Sequence, residues 1–248
     1  MIRRMKAYPG EVPHDQKCDL AARRRVGVPL ATCALGRALF DLQCGMTVLG
    51  VVLAGGRARR LGGGDKALVE IDGRPLLAHA IDRLAPQVSQ IAINANGDPS
   101  RFDSFGLPVV ADSVDGFAGP LAGVLAGLDW AADNTAACGR IVTVATDAPF
   151  FPKDLVACLI AAADSADAKL ACAKSADRHH PVFGLWPVGL REDLRHALVE
   201  EGIRKVDLWT VRHTLAVASF PASVVDPFFN INRPEDVVAA RENFNSLK

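Results

Sequence analysis
The chain has 248 residues, 50% of them hydrophobic, enough for a substantial buried core in one large or two small domains. Its 28 basic residues balance 28 acidic ones, so no global field recruits nucleic acid or an anionic membrane, and any anion site must be local. No run of about eighteen apolar residues occurs, which excludes a membrane-spanning helix.

Residues 1–45 differ from the rest, with eight Lys/Arg against four acids, a net of +4 that leaves 46–248 at −4. Arg23-Arg24-Arg25 followed by Val26 to Phe40 has a faint export outline, but Arg37 interrupts the apolar stretch and no clean small-x-small site follows. The expectation is a disordered or weakly helical extension, or a non-native start, since Met46 stands just ahead of the first strand. Of six cysteines, Cys18, Cys33 and Cys44 lack C-x-x-C spacing, and Cys138, Cys158 and Cys172 sit in apolar surroundings. They read as small core residues of a reducing compartment, which places the protein in the cytoplasm, and not as a disulfide framework or zinc site.

From Met46 onward the periodicity predicts strands at 48–54, 88–94, 108–111, 140–146, 169–173, 181–186, 214–219 and 228–231. Helices are predicted near 75–85, 120–132, 152–163, 188–201 and 234–244, with Pro75, Pro120, Pro152 and Pro234 in first-turn positions. Unbroken apolar runs such as Ile141 to Ala145 imply strands covered on both faces, hence an α/β fold with a mostly parallel central sheet. In such sheets ligands bind at the carboxyl ends of the strands.

After the first strand comes Leu53-Ala54-Gly55-Gly56-Arg57-Ala58-Arg59-Arg60-Leu61-Gly62-Gly63-Gly64-Asp65-Lys66, with five glycines and four cations in fourteen residues. Glycine lets backbone N–H groups approach an anion, and Arg and Lys supply countercharge, so the loop suits a polyphosphate. Neither Gly-x-x-x-x-Gly-Lys-Ser/Thr nor Gly-x-Gly-x-x-Gly is present, which argues against a P-loop NTPase and an NAD-binding Rossmann enzyme. A flexible linker is the bland alternative, and four interleaved cations behind a buried strand oppose it.

The next strand ends carry Asn94-Ala95-Asn96, Asp112-Ser113 and Thr146-Asp147-Ala148-Pro149. One such residue is usually a turn or a cap; four successive polar strand ends are harder to assign to capping alone. Mg²⁺ on nucleotide phosphates needs only one or two carboxylates, so Asp147 is the candidate metal anchor, with a helix cap ahead of Pro152 as the competing account.

Leu53 to Lys66 matches the Leu-Ala-Gly-Gly-x-x-x-Arg-Met-Gly-x-x-Lys signature of nucleotidyltransferases and closely resembles the form found in the molybdenum cofactor guanylyltransferase family. Leu61 in place of Met conserves volume. The resemblance spans 46–248 and implies a three-layer, Rossmann-like nucleotidyltransferase fold, with 46–150 as a nucleotide-binding half and 151–248 as an acceptor half. Ala145 to Phe150 looks like the family's Cys-Asp-x-Pro-Tyr/Phe element, whose Asp binds magnesium. The resemblance further implies a GTP pocket of Leu53, Ala54, Gly55, Gly56, Lys66, Asn94, Asp112 and Asp147, with Lys66, Arg60 and Asp147 catalytic.

Gly116 to Gly123 looks like the family's Gly-Pro-Leu-Ala-Gly element, and Gly119, Gly123 and Gly127 make one bare helical stripe, read as structural. Asp177 to Pro181 is similar to its Asp-His-Pro turn, and Phe228 to Asp236 to its Asn-x-Asn-x-Pro-Glu ending. By the same resemblance Gly63, His180, Arg204, Lys205, Asn230 and Asn232 are expected at the acceptor. Competing accounts are a hydrogen-bonded loop residue for His180, a surface charge run for Arg204-Lys205 and a helix cap for Asn232.

The activity so implied is transfer of GMP from GTP to the terminal phosphate of molybdenum-molybdopterin, giving the guanine dinucleotide cofactor and pyrophosphate. A monoester phosphate has a second pKa of about 6, so no general base is needed; charge neutralisation and in-line geometry are. Guanine rests on the resemblance, and a cytidylyltransferase acting on molybdopterin or another phosphorylated acceptor stays open. So does a non-catalytic nucleotide-sensing module. Implied partners include molybdenum-insertion proteins and recipient molybdoenzymes.

Overall fold
The computed structural model describes residues 11–12, 47–56, 63–116, 119–135, 138–222 and 226–246. In chain order their strands and helices are β1 (Glu11–Val12), β2 (Thr47–Leu53), β3 (Glu70–Ile71), β4 (Arg74–Pro75), α1 (Leu76–Leu84), β5 (Gln90–Asn94), β6 (Val109–Val110), α2 (Pro120–Asn134), β7 (Cys138–Ala145), α3 (Leu155–Ser165), β8 (Leu170–Ser175), β9 (Arg178–Pro187), α4 (Arg191–Val199), α5 (Val206–Thr210), β10 (Leu215–Phe220) and α6 (Pro234–Ser246). Eight strands form one sheet in the order β1-β10-β8-β9-β7-β2-β5-β6, while β3 and β4 make a separate hairpin. Every pairing in the large sheet is parallel except those of β9, which runs antiparallel to β7 and β8.

The buried run of β2 shows why helices cover both faces of this sheet. Alternate residues point to opposite sides, so Val48 and Val52 join one core with Leu77, Leu84 and Leu159, from α1 and α3. Leu49 and Val51 join the other with Leu121, Leu125, Leu198 and Trp209, from α2, α4 and α5. Each such large apolar side chain contributes roughly 1.5–3 kcal/mol on burial. The glycine stripe of α2 lets that helix lie directly on the strands: a Cβ on Gly127 would stand 2.7 Å from Val51 Cγ2, and one on Gly123 only 2.3 Å from Asn94 Oδ1.

Register brings the strand ends level. Leu53 pairs with both Asn94 and Ala145, and Asn94 with Val110, so β6, β5, β2 and β7 end in one row. The reversed strand β9 reaches that row with its first residues, because Ser175 at the end of β8 pairs with Arg178.

The structure differs from the sequence expectation at six places. Residues 228–231 form no strand: the Asp226 carboxylate accepts from Phe228 N at 2.9 Å, making a side-chain-supported turn that competes with extended pairing. Helix α3 starts three residues after Pro152, because Leu155 N bonds Pro152 O in a preceding turn. The helix expected over 188–201 begins as a 3-10 turn at Val188–Leu190. The β3–β4 hairpin, α5 and a 3-10 segment at Pro99–Phe105 were not expected. Of the N-terminal extension, Glu11–Val12 pair with β10 at the sheet edge, and the rest lies outside the described residues. Among the described residues no helix is long and apolar enough to cross a membrane.

Candidate active site
A cavity of about 1150 Å³ opens along the row of strand ends. Its walls can be followed from one side of the sheet to the other, starting at β6 and β5. Asn94 Nδ2 donates to Asp112 Oδ1 at 3.0 Å and to Val110 O at 3.1 Å, while Asn96 Nδ2 donates to Asp112 Oδ2 at 2.8 Å. Asp112 N donates back to Asn96 Oδ1 at 2.8 Å, so both oxygens of this carboxylate are oriented by amides. All three side chains line the cavity.

The glycine loop leaves β2 at Leu53. Ala54 is fully buried and its N–H bonds Asn94 O at 2.9 Å, while Gly55 and Gly56 are exposed and line the cavity. Lys66 N bonds Gly56 O at 3.1 Å, which closes the loop. On the return leg Gly63 and Gly64 have φ of 91° and 80°, left-handed values that favour glycine; Gly64 lines the cavity and Gly63 does not. Arg57, Arg59 and Arg60 lie outside the described residues. Arg101, a residue that pattern reasoning passed over, ties the loop to the neighbouring wall. It pairs with Asp65 at 2.5 Å, donates to Asn96 O and Asp98 O at 2.5 and 2.6 Å, and stacks over the Phe102 ring at 4.7 Å.

Lys66 stands at the centre. Its ammonium donates to Asp147 Oδ2 at 2.8 Å and to Asn232 Oδ1 at 2.6 Å, joining the glycine loop, the end of β7 and the C-terminal segment. Asp147 does not cap a helix, since α3 begins only at Leu155; its backbone oxygen instead accepts from Ile231 N at 2.7 Å, which fixes Asn232 beside it. Asn232 N also bonds Asp236 Oδ2 at 2.8 Å, so this residue is both helix entrance and site member. Two hard oxygens thus converge on a cation, the donor chemistry a Mg²⁺ ion takes. No cluster of three His, Cys, Asp or Glu exists among the described residues, so such an ion would rest on Asp147, Asn232 and oxygens of the ligand.

Beyond β7 the wall is built by the start of β9 and by the C-terminal loop. His180 and Asn230 line the cavity. His180 is buried, bonds Ser175 Oγ through Nε2 at 2.7 Å and stacks on Phe228 at 4.5 Å. Burial pushes its pKa down from 6.5 to about 4, against the upward pull of Asp226 and with a further downward push from Arg178 and His179. Arg204 and Lys205 do not line the cavity; the backbone oxygen of Arg204 would lie 3.5 Å from a Cβ on Gly119, which does. Lys205 is the exposed N-cap residue of α5. Cys138, Cys158 and Cys172 are buried, as expected of core residues.

With this geometry in view, comparison with known proteins is direct. The chain matches the MobA-like NTP transferase domain family over residues 50–214. A molybdenum cofactor guanylyltransferase from Bradyrhizobium sp. (strain ORS 278) is 58% identical over 193 residues, covering 78% of this chain and 91% of that protein. The enzyme of the same name from Rhodopseudomonas palustris (strain BisB5) is 57% identical over 190 residues, covering 77% of this chain and 90% of that one. The crystal structure of molybdopterin-guanine dinucleotide biosynthesis protein A from Archaeoglobus fulgidus shares the fold, with a TM-score of 0.62 and 24% identity over 80% of this chain and 99% of that chain. The chain belongs to the MobA-like NTP transferase family and is a nucleotidyltransferase of molybdenum-cofactor biosynthesis.

Proposed function
We propose that this enzyme transfers the GMP unit of GTP to the terminal phosphate of molybdenum-molybdopterin, forming the guanine dinucleotide cofactor and releasing pyrophosphate. The observation that carries the reading is the convergence of Lys66, Asp147 and Asn232, from three distant parts of the chain, beside a glycine loop at a cavity of about 1150 Å³. The names of relatives at 58% and 57% identity supply guanine and molybdenum cofactor.

A phosphate oxygen of the acceptor forms a bond to the α-phosphorus, and the bond from that phosphorus to the β-bridging oxygen breaks. The acceptor phosphate is already mostly dianionic at neutral pH, so the task of the protein is to hold two polyanions in line. Gly55 and Gly56 are exposed at the cavity, and their backbone N–H groups serve the phosphates in this reading. An ammonium has three donors, and Lys66 uses two on Asp147 and Asn232, which leaves one for an α-phosphate oxygen. A divalent ion, Mg²⁺ in this reading, would be held by Asp147 and Asn232 and would supply charge neutralisation at the transferring phosphate.

Asn94, Asn96 and Asp112 form the nucleoside end, where an oriented carboxylate suits the N1–H and N2–H donors of guanine. Leu53, Ala54 and Gly55 place their backbone next to the base. Arg60 is assigned by resemblance to the β/γ-phosphates or the incoming pterin phosphate. His180 and Asn230, on the far wall, with Gly63, Arg204 and Lys205 at the rim, belong to the acceptor. The buried free thiols of Cys138 and Cys172 accord with a reducing, cytoplasmic setting.

The test is incubation with Mg²⁺, molybdopterin and each nucleoside triphosphate in turn, with pyrophosphate measured. Release with GTP supports the reading. Preference for CTP identifies a cytidylyltransferase, and no release with any nucleotide identifies a sensing module; either result overturns it.

A further inference from the structure
His180 sits in a relay that fixes its proton as well as its ring. Ser175, only 1% exposed, donates its hydroxyl to Asp226 Oδ1 at 2.8 Å, and its oxygen lies 2.7 Å from His180 Nε2. A hydroxyl has one proton. With that proton directed to the carboxylate, the Ser175 oxygen can only accept from the imidazole, so Nε2 carries the ring hydrogen and Nδ1 a lone pair. Phe228, stacked at 23° to the ring, holds its plane, and the Asp226 carboxylate is itself fixed by Phe228 N at 2.9 Å.

Among the described residues Nδ1 has no hydrogen-bond partner, and it is not one of their buried nitrogens left unpaired, so it retains accessible surface. The accessible side of the ring is the cavity, whose wall continues through Pro181 and Val182. Burial holds the imidazole neutral at physiological pH, which removes the charge a phosphate subsite would use. A bare Nδ1 offers nothing to a carbonyl either. What it can recognise is an N–H, beside apolar side chains suited to a flat ring.

Resting on the function proposed above, we infer that His180 is a specificity-determining residue of the acceptor wall: its Nδ1 accepts a hydrogen bond from a ring N–H or amino group of the acceptor's fused nitrogen heterocycle. Ser175 and Asp226 are positioning residues that hold the tautomer. The nucleotide does not touch this relay.

The experiment uses the full chain with Mg²⁺, GTP and molybdopterin, and reads pyrophosphate release and GTP affinity. His180→Ala is expected to raise KM for molybdopterin about tenfold, the loss of one hydrogen bond, with the Kd for GTP unchanged. His180→Asn, whose amide oxygen takes the place of Nδ1, should recover most of that loss. If the unaltered protein turns over and His180→Ala keeps its KM for molybdopterin within about twofold, the His180 assignment alone falls. If the unaltered protein transfers nothing to molybdopterin, the function reading falls and takes this assignment with it. Nitrogen NMR of the ring in unaltered protein gives a second readout: Nδ1 is expected unprotonated, with a resonance that moves on adding molybdopterin, and a protonated Nδ1 in the free protein overturns the inference.

Discussion

Lys66 and Asp147, 81 residues apart in sequence, meet at 2.8 Å in the wall of the cavity. The pair joins the glycine loop to the end of a core strand. Asp147→Ala removes the carboxylate and leaves the ammonium with Asn232 alone. Turnover should fall by roughly 10²–10³ or more while GTP binding weakens far less, read by pyrophosphate release beside calorimetric titration. Unchanged turnover would remove Asp147 from the mechanism.

Asn232 shares that ammonium at 2.6 Å and supplies the second oxygen of the proposed metal site. Asn232→Ala should raise the Mg²⁺ concentration for half-maximal rate by roughly tenfold at saturating GTP. An unaltered Mg²⁺ titration would show that the amide serves only as a tether for Lys66.

Asp112 accepts from two amides, Asn94 and Asn96, on the nucleoside side. Asp112→Ala leaves Asn94 with Val110 O alone, takes the carboxylate from Asn96 and removes the acceptor proposed for guanine. We expect KM for GTP to rise about tenfold or more with kcat largely kept. Steady-state kinetics in which kcat alone falls would place Asp112 elsewhere in the reaction.

Gly127 shows how closely α2 lies on the sheet, since a methyl there would stand 2.7 Å from Val51 Cγ2. Gly127→Ala therefore overpacks the core and should destabilise the fold by about 1–3 kcal/mol, read as a lower urea midpoint. An equal midpoint would mean the helix has room to lift.

His180 sets an acid limit. Its pKa falls from 6.5 to about 4 on folding, chiefly through burial, so between those values the unfolded chain binds the proton the folded one rejects. Stability from this group is fully present above pH 6.5 and is lost as pH falls towards 4. Urea midpoints measured at pH 7 and pH 4.5 should differ more in the unaltered protein than in His180→Asn. Equal differences would detach the acid sensitivity from His180.

The carboxyl edge was legible in the sequence because the informative residues follow apolar runs whose ends coincide: Leu53, Asn94 and Ala145 stand side by side. The direction of β9 was not legible, since alternation gives a strand no orientation. The contact of Lys66 with Asn232 spans 166 residues, and the apolar residues before Asn232 read as a strand although they bury a loop. A signal for the β3–β4 hairpin was present in Asp72-Gly73, whose φ values of 54° and 72° fit a tight two-residue turn. Arg101 offered none, because a single arginine in a polar stretch shows its value only when Asp65, Asn96 and Asp98 are seen around it.

The reversal of β9 has a consequence for how such an enzyme diversifies. Because this strand enters the cavity at its beginning, the wall proposed for the acceptor hangs on a two-residue hairpin tip, Ala176-Asp177, on a different element from the glycine loop proposed for the triphosphate. Lengthening or rewriting that tip reshapes what is received without disturbing what is donated, so new recipients are open to a lineage whose phosphorus chemistry stays fixed.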